Sequence, residues 1–323
     1  MALATRALWV TSAGECGIRP AALPEPSPDQ VQVRTLWSAV SRGTEELVLR
    51  GRIPESQHAR MRAPFQEGDF PWPVKYGYLN VGVVERGPAE LEGREVFCLY
   101  PHQTRYVVPA AAVSVVPPEV PPQRAVLAGT VETAVNALWD AAPLIGDRIA
   151  VVGGGMVGCS VAAVLARFPG VRVELVDVDP ARESTAAALG VAFASPEGAR
   201  GDCDLVVHAS GSERGLVRSL ELLAAEGRVI ELSWYGDRKV SLPLGEFFHS
   251  GRLAVRSSQV GAVGRADRGF AERMSLALEL LADPVFDALI TGQSRFDDLP
   301  GVMSDLVSGE LSPLCHRIEY DRP

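Results

Sequence analysis

Three glycines near the middle of the chain, at positions 153, 155 and 158, stand in the spacing G-x-G-x-x-G. An apolar run at residues 149–152 precedes them, and a second apolar run at residues 171–176 ends in front of Asp177. Because the first glycine permits a tight turn, the second admits a pyrophosphate and the third lets a helix pack on a strand, this order predicts a dinucleotide-binding unit. The residues expected at the pyrophosphate, around the free N–H groups of a helix N-terminus, are Gly153, Gly155, Met156, Val157 and Gly158.

Asp177 is the residue expected to select the cofactor. It follows Gly158 by 19 residues, close to the roughly 20 residues that separate the glycine turn from an acid that binds the adenosine ribose. A carboxylate accepts hydrogen bonds from the two ribose hydroxyls and repels a 2′-phosphate, so the sequence favours NAD over NADP. The alternative is an α/β crossover with a glycine-rich turn that binds no ligand.

Length and composition exclude several classes of protein. With 323 residues the chain is long for a single core, which predicts two domains. A formal net charge of −9 argues against nucleic acid or an anionic membrane as a partner. The N-terminus has no signal-peptide pattern, no apolar run reaches the ~18 residues that span a bilayer, and the five cysteines are scattered without a C-x-x-C pair. These features predict a cytoplasmic protein with reduced thiols.

The pattern of apolar residues changes at a cluster of prolines, at positions 117, 118, 121 and 122. Before it, short β-branched and aromatic runs, such as residues 31–40 and 81–85, predict strands, with one short helix over residues 45–50. After it, a helix is predicted over residues 123–141, and strands then alternate with helices up to Ser257. Such alternation predicts a parallel, doubly wound sheet.

The order of these features resembles the medium-chain dehydrogenase/reductase superfamily, the zinc-type alcohol dehydrogenase-like proteins, over nearly the whole chain. The resemblance rests on PEPSPDQVQVR after Gly14, RGTEELVLRG, GYLNVGV from Gly77, GDRIAVVGGGMVG, DVDPAR and LITGQSRFDDLPGVMSDLVSG. The S-x-G-T-E start at Ser41 and the G-Y at Gly77 are most similar to the branch that includes bacteriochlorophyllide dehydrogenase.

The resemblance implies a fold class and an assembly. A Rossmann doubly wound parallel sheet is expected over residues 119–262, and a discontinuous β-rich GroES-like catalytic domain over residues 1–118, completed by residues 263–323. Because members of the superfamily pair through the last strand of the Rossmann sheet, a homodimer through residues 253–257 is expected, with a small molecule as substrate.

The departures from the superfamily concern its catalytic metal. Zinc-dependent members place a Cys in C-G-T-D, a His in G-H-E, and a Cys or Glu near the start of the connecting helix. The corresponding residues here are Arg42, Tyr78 and Gly129, and the four-cysteine structural zinc lobe is missing. Because zinc takes three or four N, S or carboxylate ligands, no metal and a zinc-independent chemistry are expected.

Without zinc, protein groups must stabilise the alkoxide that hydride transfer to a carbonyl creates, and must exchange its proton. Lys75 and Tyr78 flank the emptied metal position in the stretch KYGY. A lysine beside a tyrosine lowers the pKa of the phenol by its charge, which predicts Tyr78 as acid/base and Lys75, one of only two lysines in the chain, as its electrostatic partner. The alternative is aromatic packing by Tyr76 and Tyr78, with Lys75 as a surface charge.

Arg42 and Thr44 stand where the first metal ligand would be. Arg42 is a candidate for binding a carboxylate or phosphate of the substrate, because a guanidinium can pair with these groups through two hydrogen bonds. The alternative is an ion pair of Arg42 with one of three carboxylates, Glu45, Glu46 or Glu132.

Two further titratable residues are candidates for proton transfer. Glu132 follows Gly129 by about one turn in the predicted connecting helix. A buried carboxyl there would be a perturbed acid, and otherwise it would pair with Arg42. His102 follows a strand and could relay protons, with a solvated loop histidine as the favoured alternative.

The resemblance also implies residues around the cofactor. Arg182 matches the position where a basic residue covers the adenosine ribose, which keeps NADP as an alternative to NAD; a surface ion pair with Asp179 is its other explanation. The strand ends expected beside the cofactor carry Ser210, Gly211, Ser233 and Trp234. The bulky S-W-Y at residues 233–235 predicts a reshaped pocket near the nicotinamide, with core packing as the alternative for Trp234.

Three functions are compatible with these residues. The first is a zinc-independent NAD(H)-linked oxidoreductase that interconverts a secondary alcohol and a ketone on a ring-bearing small molecule. Its substrate would meet several aromatic side chains: Trp72, Tyr76, Tyr78, Trp234 and Tyr235. The second is an NADPH-type enone or quinone reductase, which Asp177 disfavours. The third is a dinucleotide-binding sensor without catalysis.

Overall fold

A computed structural model describes residues 5–321. Within them the strands are β1 (Thr5–Ser12), β2 (Glu15–Ala21), β3 (Gln30–Val40), β4 (Glu67–Gly68), β5 (Val74–Lys75), β6 (Asn80–Arg86), β7 (Glu95–Cys98), β8 (Arg105–Pro109), β9 (Val113–Val115), β10 (Arg148–Val152), β11 (Arg172–Val176), β12 (Ala192–Ala194), β13 (Cys203–His208), β14 (Leu223–Glu231), β15 (Ala254–Ser257), β16 (Ile290–Arg295) and β17 (Cys315–Glu319). The α-helices are α1 (Arg42–Leu49), α2 (Pro122–Ala125), α3 (Ala128–Ala141), α4 (Met156–Leu165), α5 (Arg182–Leu189), α6 (Glu213–Glu221), α7 (Phe270–Leu280) and α8 (Leu299–Ser308).

The chain divides into two compact units. The β-rich unit consists of Met1–Gly129 with Ile290–Pro323, and the parallel-sheet unit consists of Thr130–Leu289. Both divisions lie later in the chain than the boundaries expected after residues 118 and 262. The second division is late because α7 is tied into the parallel-sheet unit, where Arg273 on α7 donates to Glu132 on α3 over 3.0 Å.

The parallel-sheet unit is built on six strands in the order β12-β11-β10-β13-β14-β15, and every neighbouring pair is parallel. Val151, Val206 and Val207 on the central strands β10 and β13 are fully buried, as expected where helices cover both faces of a parallel sheet. The predicted doubly wound sheet is therefore confirmed. Its parallel direction places the carboxyl ends of β10, β13 and β14 side by side at one edge, which is where open α/β sheets bind ligands.

The β-rich unit contains two sheets. The larger runs β16-β17-β3-β6-β7-β9, with β8 also paired to β3, and the smaller runs β2-β1-β5-β4. Its core includes Val31, Val33, Val84 and Tyr106, all almost completely buried. Strand β3 organises the larger sheet because its 11 residues pair with β6, β8 and β17.

Some elements differ from the sequence prediction. The helix predicted over residues 123–141 is two helices, α2 and α3, because the chain tightens between them, where the Leu127 N–H donates to the Arg124 carbonyl three residues back. Strands β2, β4, β5 and β16 were not predicted. Strand β2 contains a proline and no buried residue, β4 and β5 have two residues each, and β16 is mostly polar and alternates half-buried with exposed residues. Such strands carry no apolar signal of their own.

Two expectations from composition concern the state of the cysteines and the presence of membrane-spanning segments. All five cysteines are free, and Cys98, Cys159, Cys203 and Cys315 are buried. Within residues 5–321 no helix combines the length and the apolar character needed to cross a bilayer.

Alanine substitution is expected to change the stability of the fold in opposite directions at two helical glycines. In α4 an added Cβ at Gly158 would lie 1.9 Å from the Gly153 carbonyl oxygen, whereas in α8 the exposed Gly301 has no neighbour within 4 Å of an added Cβ. Gly158→Ala is expected to destabilise the fold by about 1–3 kcal/mol through overpacking. Gly301→Ala is expected to stabilise it by about 0.5–1 kcal/mol through helix propensity.

Urea unfolding of the two variants checks this prediction against the unmodified chain. A Gly158→Ala variant that unfolds at the same urea concentration as the unmodified chain would show that the turn and α4 are not in close contact.

Candidate functional site

The glycine turn connects β10 to α4 and is shaped by close contacts on two sides. Gly153 has a φ of +110°, and an added Cβ would lie 2.5 Å from the Ser210 nitrogen. A side chain at Gly158 would strike the Gly153 carbonyl, as described above. At Gly155, by contrast, an added Cβ would meet nothing within 4 Å. The turn is therefore closed against the sheet and the helix, and open at its middle glycine.

Helix α4 begins directly behind this opening. Gly155 is its N-cap and offers no side-chain hydrogen bond, and Met156 and Val157 are the first helical residues. The N–H groups of a first helical turn have no partner within the helix, and the helix dipole favours a negative charge there. An open glycine in front of uncapped N–H groups fits a pyrophosphate.

Asp177 follows β11 and lies against the same turn. Its Oδ2 accepts a hydrogen bond from the Gly154 N–H at 2.5 Å, and its Oδ1 accepts one from the Asp179 N–H at 2.8 Å. Arg182 pairs with Asp179, with 3.3 Å between Nε and Oδ2, while its Cγ lies 3.3 Å from the position of an added Cβ on Gly154. The acid, the arginine and the glycine turn form one surface of the parallel-sheet unit.

The ends of β13 and β14 border this surface. The Gly211 N–H donates to the Ser233 hydroxyl at 3.0 Å, which joins the two segments that follow these strands. Ser210 is exposed, and Trp234 is half-buried. The sequence prediction missed two residues here, His208 and Glu231, which end the two strands and hydrogen-bond to each other. The sequence feature that could have identified them is a titratable residue at the carboxyl end of each of two neighbouring apolar strands.

Tyr78 lies in the β-rich unit beside the start of α1. Its hydroxyl donates to Ser41 Oγ at 2.6 Å. Burial raises the pKa of Tyr78 to about 12, against the opposing effect of hydrogen bonds with Ser41 and Thr44, and Glu45 raises it further. The phenol is therefore neutral at physiological pH, which is opposite to the lowered pKa expected from the sequence.

Lys75 is not the electrostatic partner of Tyr78, and that expectation was wrong. Its side chain is only 1% exposed, and it forms an ion pair with Glu67. Its Nζ also donates to Gln103 Oε1 at 2.6 Å and lies 5.2 Å from the ring centroid of Tyr100. Burial lowers the pKa of Lys75, while Glu67 opposes that shift. The ammonium belongs to a separate polar cluster.

Arg42 is exposed, and its Nη1 donates to Ser312 Oγ at 2.8 Å. Two of the carboxylates proposed as its ion-pair partners are engaged elsewhere in the β-rich unit. Glu46 bonds to Arg50 at 2.9 Å, and Glu45 accepts from the Ser41 N–H at 2.7 Å. Neither ion pair predicted for Arg42 with these two residues is present.

His102 is fully buried, so the favoured expectation of a solvated loop histidine was wrong. Its Nδ1 lies 2.7 Å from Ser38 Oγ, and its Nε2 lies 3.0 Å from Glu45 Oε2. Ser38 Oγ in turn lies 3.0 Å from the Tyr320 hydroxyl. The ring packs so tightly on Gly77 that an added Cβ there would lie 2.8 Å from His102 Cδ2. These groups form a continuous buried chain of hydrogen bonds.

The third position that corresponds to a metal ligand is closed by apolar packing. An added Cβ at Gly129 would lie 2.6 Å from Leu79 Cδ2 and 3.5 Å from Phe97 Cζ. Arg42 supplies a guanidinium and Tyr78 a neutral, hydrogen-bonded phenol at the other two positions. Across residues 5–321 no group of three or more His, Cys, Asp or Glu side chains is close enough together to hold a metal ion.

Glu132 is buried in the parallel-sheet unit, where it pairs with Arg273 rather than with Arg42. The distance between Glu132 Oε1 and Arg273 Nη2 is 3.0 Å, and Arg273 is 1% exposed. Burial raises the pKa of Glu132, and Arg273 partly opposes this. The alternative of a pair between Glu132 and Arg42 was wrong, and a role of Glu132 in proton transfer stays a prediction.

The fold has counterparts among solved structures. L-idonate 5-dehydrogenase from Escherichia coli K-12 matches with a TM-score of 0.81 and 14% identity, over 98% of this chain and 98% of that chain. Acetophenone reductase from Geotrichum candidum, solved with NAD, matches with a TM-score of 0.80 and 15% identity, over 99% and 98%. A Sinorhizobium meliloti structure described as a zinc-binding dehydrogenase and bound to NADP matches with a TM-score of 0.78 and 16% identity, over 98% and 99%.

These matches establish the class of fold. The chain combines a Rossmann doubly wound parallel sheet with a discontinuous β-rich GroES-like unit, as the sequence predicted. No family model matches the chain. No curated protein sequence matches it either.

The buried pair of Glu132 and Arg273 predicts a large loss of stability on truncation. Glu132→Ala leaves the Arg273 guanidinium buried without a carboxylate, which is expected to cost about 3–5 kcal/mol of unfolding free energy. Glu132→Gln retains an acceptor and should cost less. Urea unfolding at neutral pH measures both, and equal losses in the two variants would contradict a role for the charge.

Because Lys75 and Tyr78 have different partners, removal of the Lys75 charge is expected to leave the pKa of Tyr78 unchanged. Lys75→Met leaves the buried Gln103 oxygen without its donor, and is expected to lower the unfolding free energy by about 1–3 kcal/mol. The Tyr78 phenol should stay protonated up to about pH 10 in both the original chain and the variant. Nuclear magnetic resonance of ¹³C-labelled tyrosine, assigned with Tyr78→Phe, measures this, and a Tyr78 pKa near neutrality that rises in Lys75→Met would restore the pairing.

Proposed function

We propose that this chain is an NAD(H)-linked oxidoreductase that interconverts a secondary alcohol and a ketone on a ring-bearing small molecule without a catalytic zinc. The observation that carries the proposal is the glycine turn, which is open at Gly155, backed by the uncapped start of α4 and bordered by Asp177. An oxidoreductase function agrees with the fold that the chain shares with L-idonate 5-dehydrogenase and acetophenone reductase.

The cofactor proposal rests on the residues of the parallel-sheet unit. The pyrophosphate would lie at Gly155, Met156 and Val157, and the adenosine ribose at Asp177 and Arg182. A carboxylate at the ribose favours NAD, although structures with this fold have been solved with NAD and with NADP. The nicotinamide, when bound, donates or accepts the hydride.

Zinc independence is proposed from the residues at the three ligand positions. Gly129 has no side chain, and Leu79 fills the space that a longer residue would need. Arg42 carries a permanent positive charge and binds Ser312. A phenol with a pKa of about 12 does not ionise readily enough at neutral pH to replace a histidine ligand.

Tyr78 is proposed as the residue that exchanges the proton. Because its pKa is about 12, the phenol is protonated at neutral pH and can donate to the alkoxide that forms when a ketone is reduced. Ser41 Oγ, at 2.6 Å, holds the hydroxyl in place, and Thr44 adds a second hydrogen bond. In the direction of oxidation the phenolate of Tyr78, the state that donation leaves, would accept the proton of the alcohol. Arg42 and Thr44 are proposed to contact the substrate.

A ring-bearing substrate is proposed because each unit carries aromatic side chains among its proposed site residues or next to them in the chain. In the β-rich unit, the rings of Tyr76 and Tyr78 meet edge to face with 6.0 Å between centroids. In the parallel-sheet unit, Trp234 and Tyr235 follow β14 and are half-buried. Aromatic side chains bind planar or apolar rings through stacking and edge contacts.

A homodimer is proposed through the edge of the parallel sheet. Strand β15 is one of the two edge strands of this sheet, and all four of its residues, Ala254–Ser257, are exposed. An exposed edge strand presents unpaired N–H and C=O groups that a second copy could pair.

Turnover tests the proposed function. The chain would be assayed with NADH and NADPH against panels of cyclic ketones and enones, with metal content measured in the same preparation. Tyr78→Phe is expected to lower turnover by about 10²–10⁴-fold, the usual contribution of a general acid, while NADH affinity is unchanged. Tyr106→Phe is the matched control, because its hydroxyl is buried against Asn80.

Each alternative has its own outcome. Failure to bind either dinucleotide would overturn the proposal, and binding without turnover on any substrate would favour the sensor. Preference for NADPH and enones would favour the reductase of C=C bonds. One tightly bound zinc per chain, with turnover lost on its removal, would overturn zinc independence.

A further inference from the structure

A buried pair of titratable residues lies at the ligand-binding edge of the parallel sheet. His208 and Glu231 are the last residues of β13 and β14, and they are direct partners in the strand pairing. Their exposed fractions are 0% and 8%. His208 Nδ1 lies 2.7 Å from Glu231 Oε2. The proposed function gives this pair no role, although it stands beside the strand that ends in the glycine turn.

The carboxylate of Glu231 receives further hydrogen bonds that keep it ionised. The Tyr235 hydroxyl donates to its Oε2 at 3.0 Å, and the Ser233 N–H donates to its Oε1 at 2.7 Å. Burial raises the pKa of Glu231, but the bonds from His208 and Ser233 outweigh it and hold the pKa below its usual value. An ionised carboxylate only accepts, so Nδ1 of His208 carries a proton.

The other ring nitrogen of His208 connects the pair to the surface. Its Nε2 lies 2.6 Å from the hydroxyl of Ser210, which is exposed. The backbone of Ser210 packs on Gly153, and its hydroxyl lies 2.2 Å from the position of an added Cβ on Gly215. Glycines on both sides therefore let Ser210 approach the turn and the first turn of α6.

The protonation state of His208 decides what the Ser210 hydroxyl can do. When His208 is neutral, its Nε2 accepts the Ser210 proton, and the serine oxygen, which accepts from the Ser212 N–H and lies 3.0 Å from Ser212 Oγ, acts only as an acceptor toward its other neighbours. When His208 is protonated, Nε2 donates to the serine oxygen, and the hydroxyl proton points elsewhere. The first state suits a ligand hydroxyl, and the second suits an anion.

A hydroxyl, an imidazole and a carboxylate in this order are also the groups of acyl transfer. That chemistry needs N–H groups free to bind an oxyanion. The N–H of Gly211 is bonded to Ser233, and the N–H of Ser212 points to Ser210 Oγ itself at 3.3 Å. The surroundings of Ser210 therefore favour a binding role.

We propose that the His208–Glu231 pair sets the hydrogen-bonding polarity of Ser210, so that with neutral His208 the Ser210 oxygen accepts a hydrogen bond from a ribose hydroxyl of the bound dinucleotide. The inference rests on the proposed function, since it needs a nicotinamide dinucleotide at the glycine turn. His208 and Glu231 are positioning residues, and Ser210 is the residue that contacts the cofactor.

Other polar and charged groups surround the pair. Besides Glu231, the groups that face the imidazole are Ser233 and Tyr235, whose pKa is raised by burial and by Glu231. Arg238 lies 5.7 Å from the ring centroid of Tyr235 and donates to the Gly211 carbonyl. From α6, Glu213 binds the Ser241 N–H at 2.8 Å.

The test measures NADH affinity by calorimetry from about pH 5.5 to pH 8.5, the range in which histidine titrates. In the original chain, the affinity should increase as pH rises, because neutral His208 is the state that binds. Ser210→Ala should bind NADH about two- to tenfold more weakly at high pH, the effect of one lost hydrogen bond, and should lose the pH dependence. His249→Asn, an exposed histidine of the same unit, is the matched control and should behave as the original chain.

A second measurement does not depend on affinity. The imidazole signals of His208, assigned with His208→Asn, should titrate at the same midpoint as the binding, and NADH should shift that midpoint to lower pH. If the original chain binds no NADH at any pH, the proposed function fails. If it binds NADH but Ser210→Ala binds identically, or affinity rises toward low pH, this inference alone fails. Covalent labelling of Ser210 by a fluorophosphonate would replace it with acyl transfer.

Discussion

The close approach of helix α4 to the glycine turn is the constraint on which the parallel-sheet unit depends. The Gly153 carbonyl occupies the space where residue 158 would carry a side chain, and the Ser210 backbone occupies the space beside residue 153. Only glycines allow both contacts. The contacts bring the start of α4 to the same edge of the sheet as the ends of β13 and β14, so the uncapped N–H groups of α4, Asp177 and the His208–Glu231 pair lie at one edge.

The β-rich unit contains a network of buried polar groups around the start of α1. Glu45 accepts hydrogen bonds from both Ser41 and His102, and His102 continues through Ser38 to Tyr320. Buried polar groups are costly unless each finds a partner, so this network fixes the start of α1 against β3 and β17. The same α1 start holds the Tyr78 phenol. Structural support and proposed proton exchange therefore meet at one helix terminus.

The candidate site could be predicted from the sequence only where local spacing defines it. The glycine turn, α4 and Asp177 lie within one strand–helix–strand segment, and the structure places them together there. Lys75 and His102 were assigned wrong surroundings because their partners are distant in the chain. Lys75 bonds to Gln103, and His102 bonds to Glu45. In both pairs the two residues lie far apart in the chain. No local sequence pattern around Lys75 or His102 identifies these partners.

The sequence by itself determined the class of fold, because periodicity, glycine spacing and prolines act over a few residues at a time. Tertiary structure decided which charges are paired, which phenol is buried and that His208 meets Glu231. These outcomes depend on strand order and register, since only the pairing of β13 with β14 aligns two residues that lie far apart in the chain. Burial then sets their protonation, because a desolvated group keeps the charge state that its neighbours can stabilise.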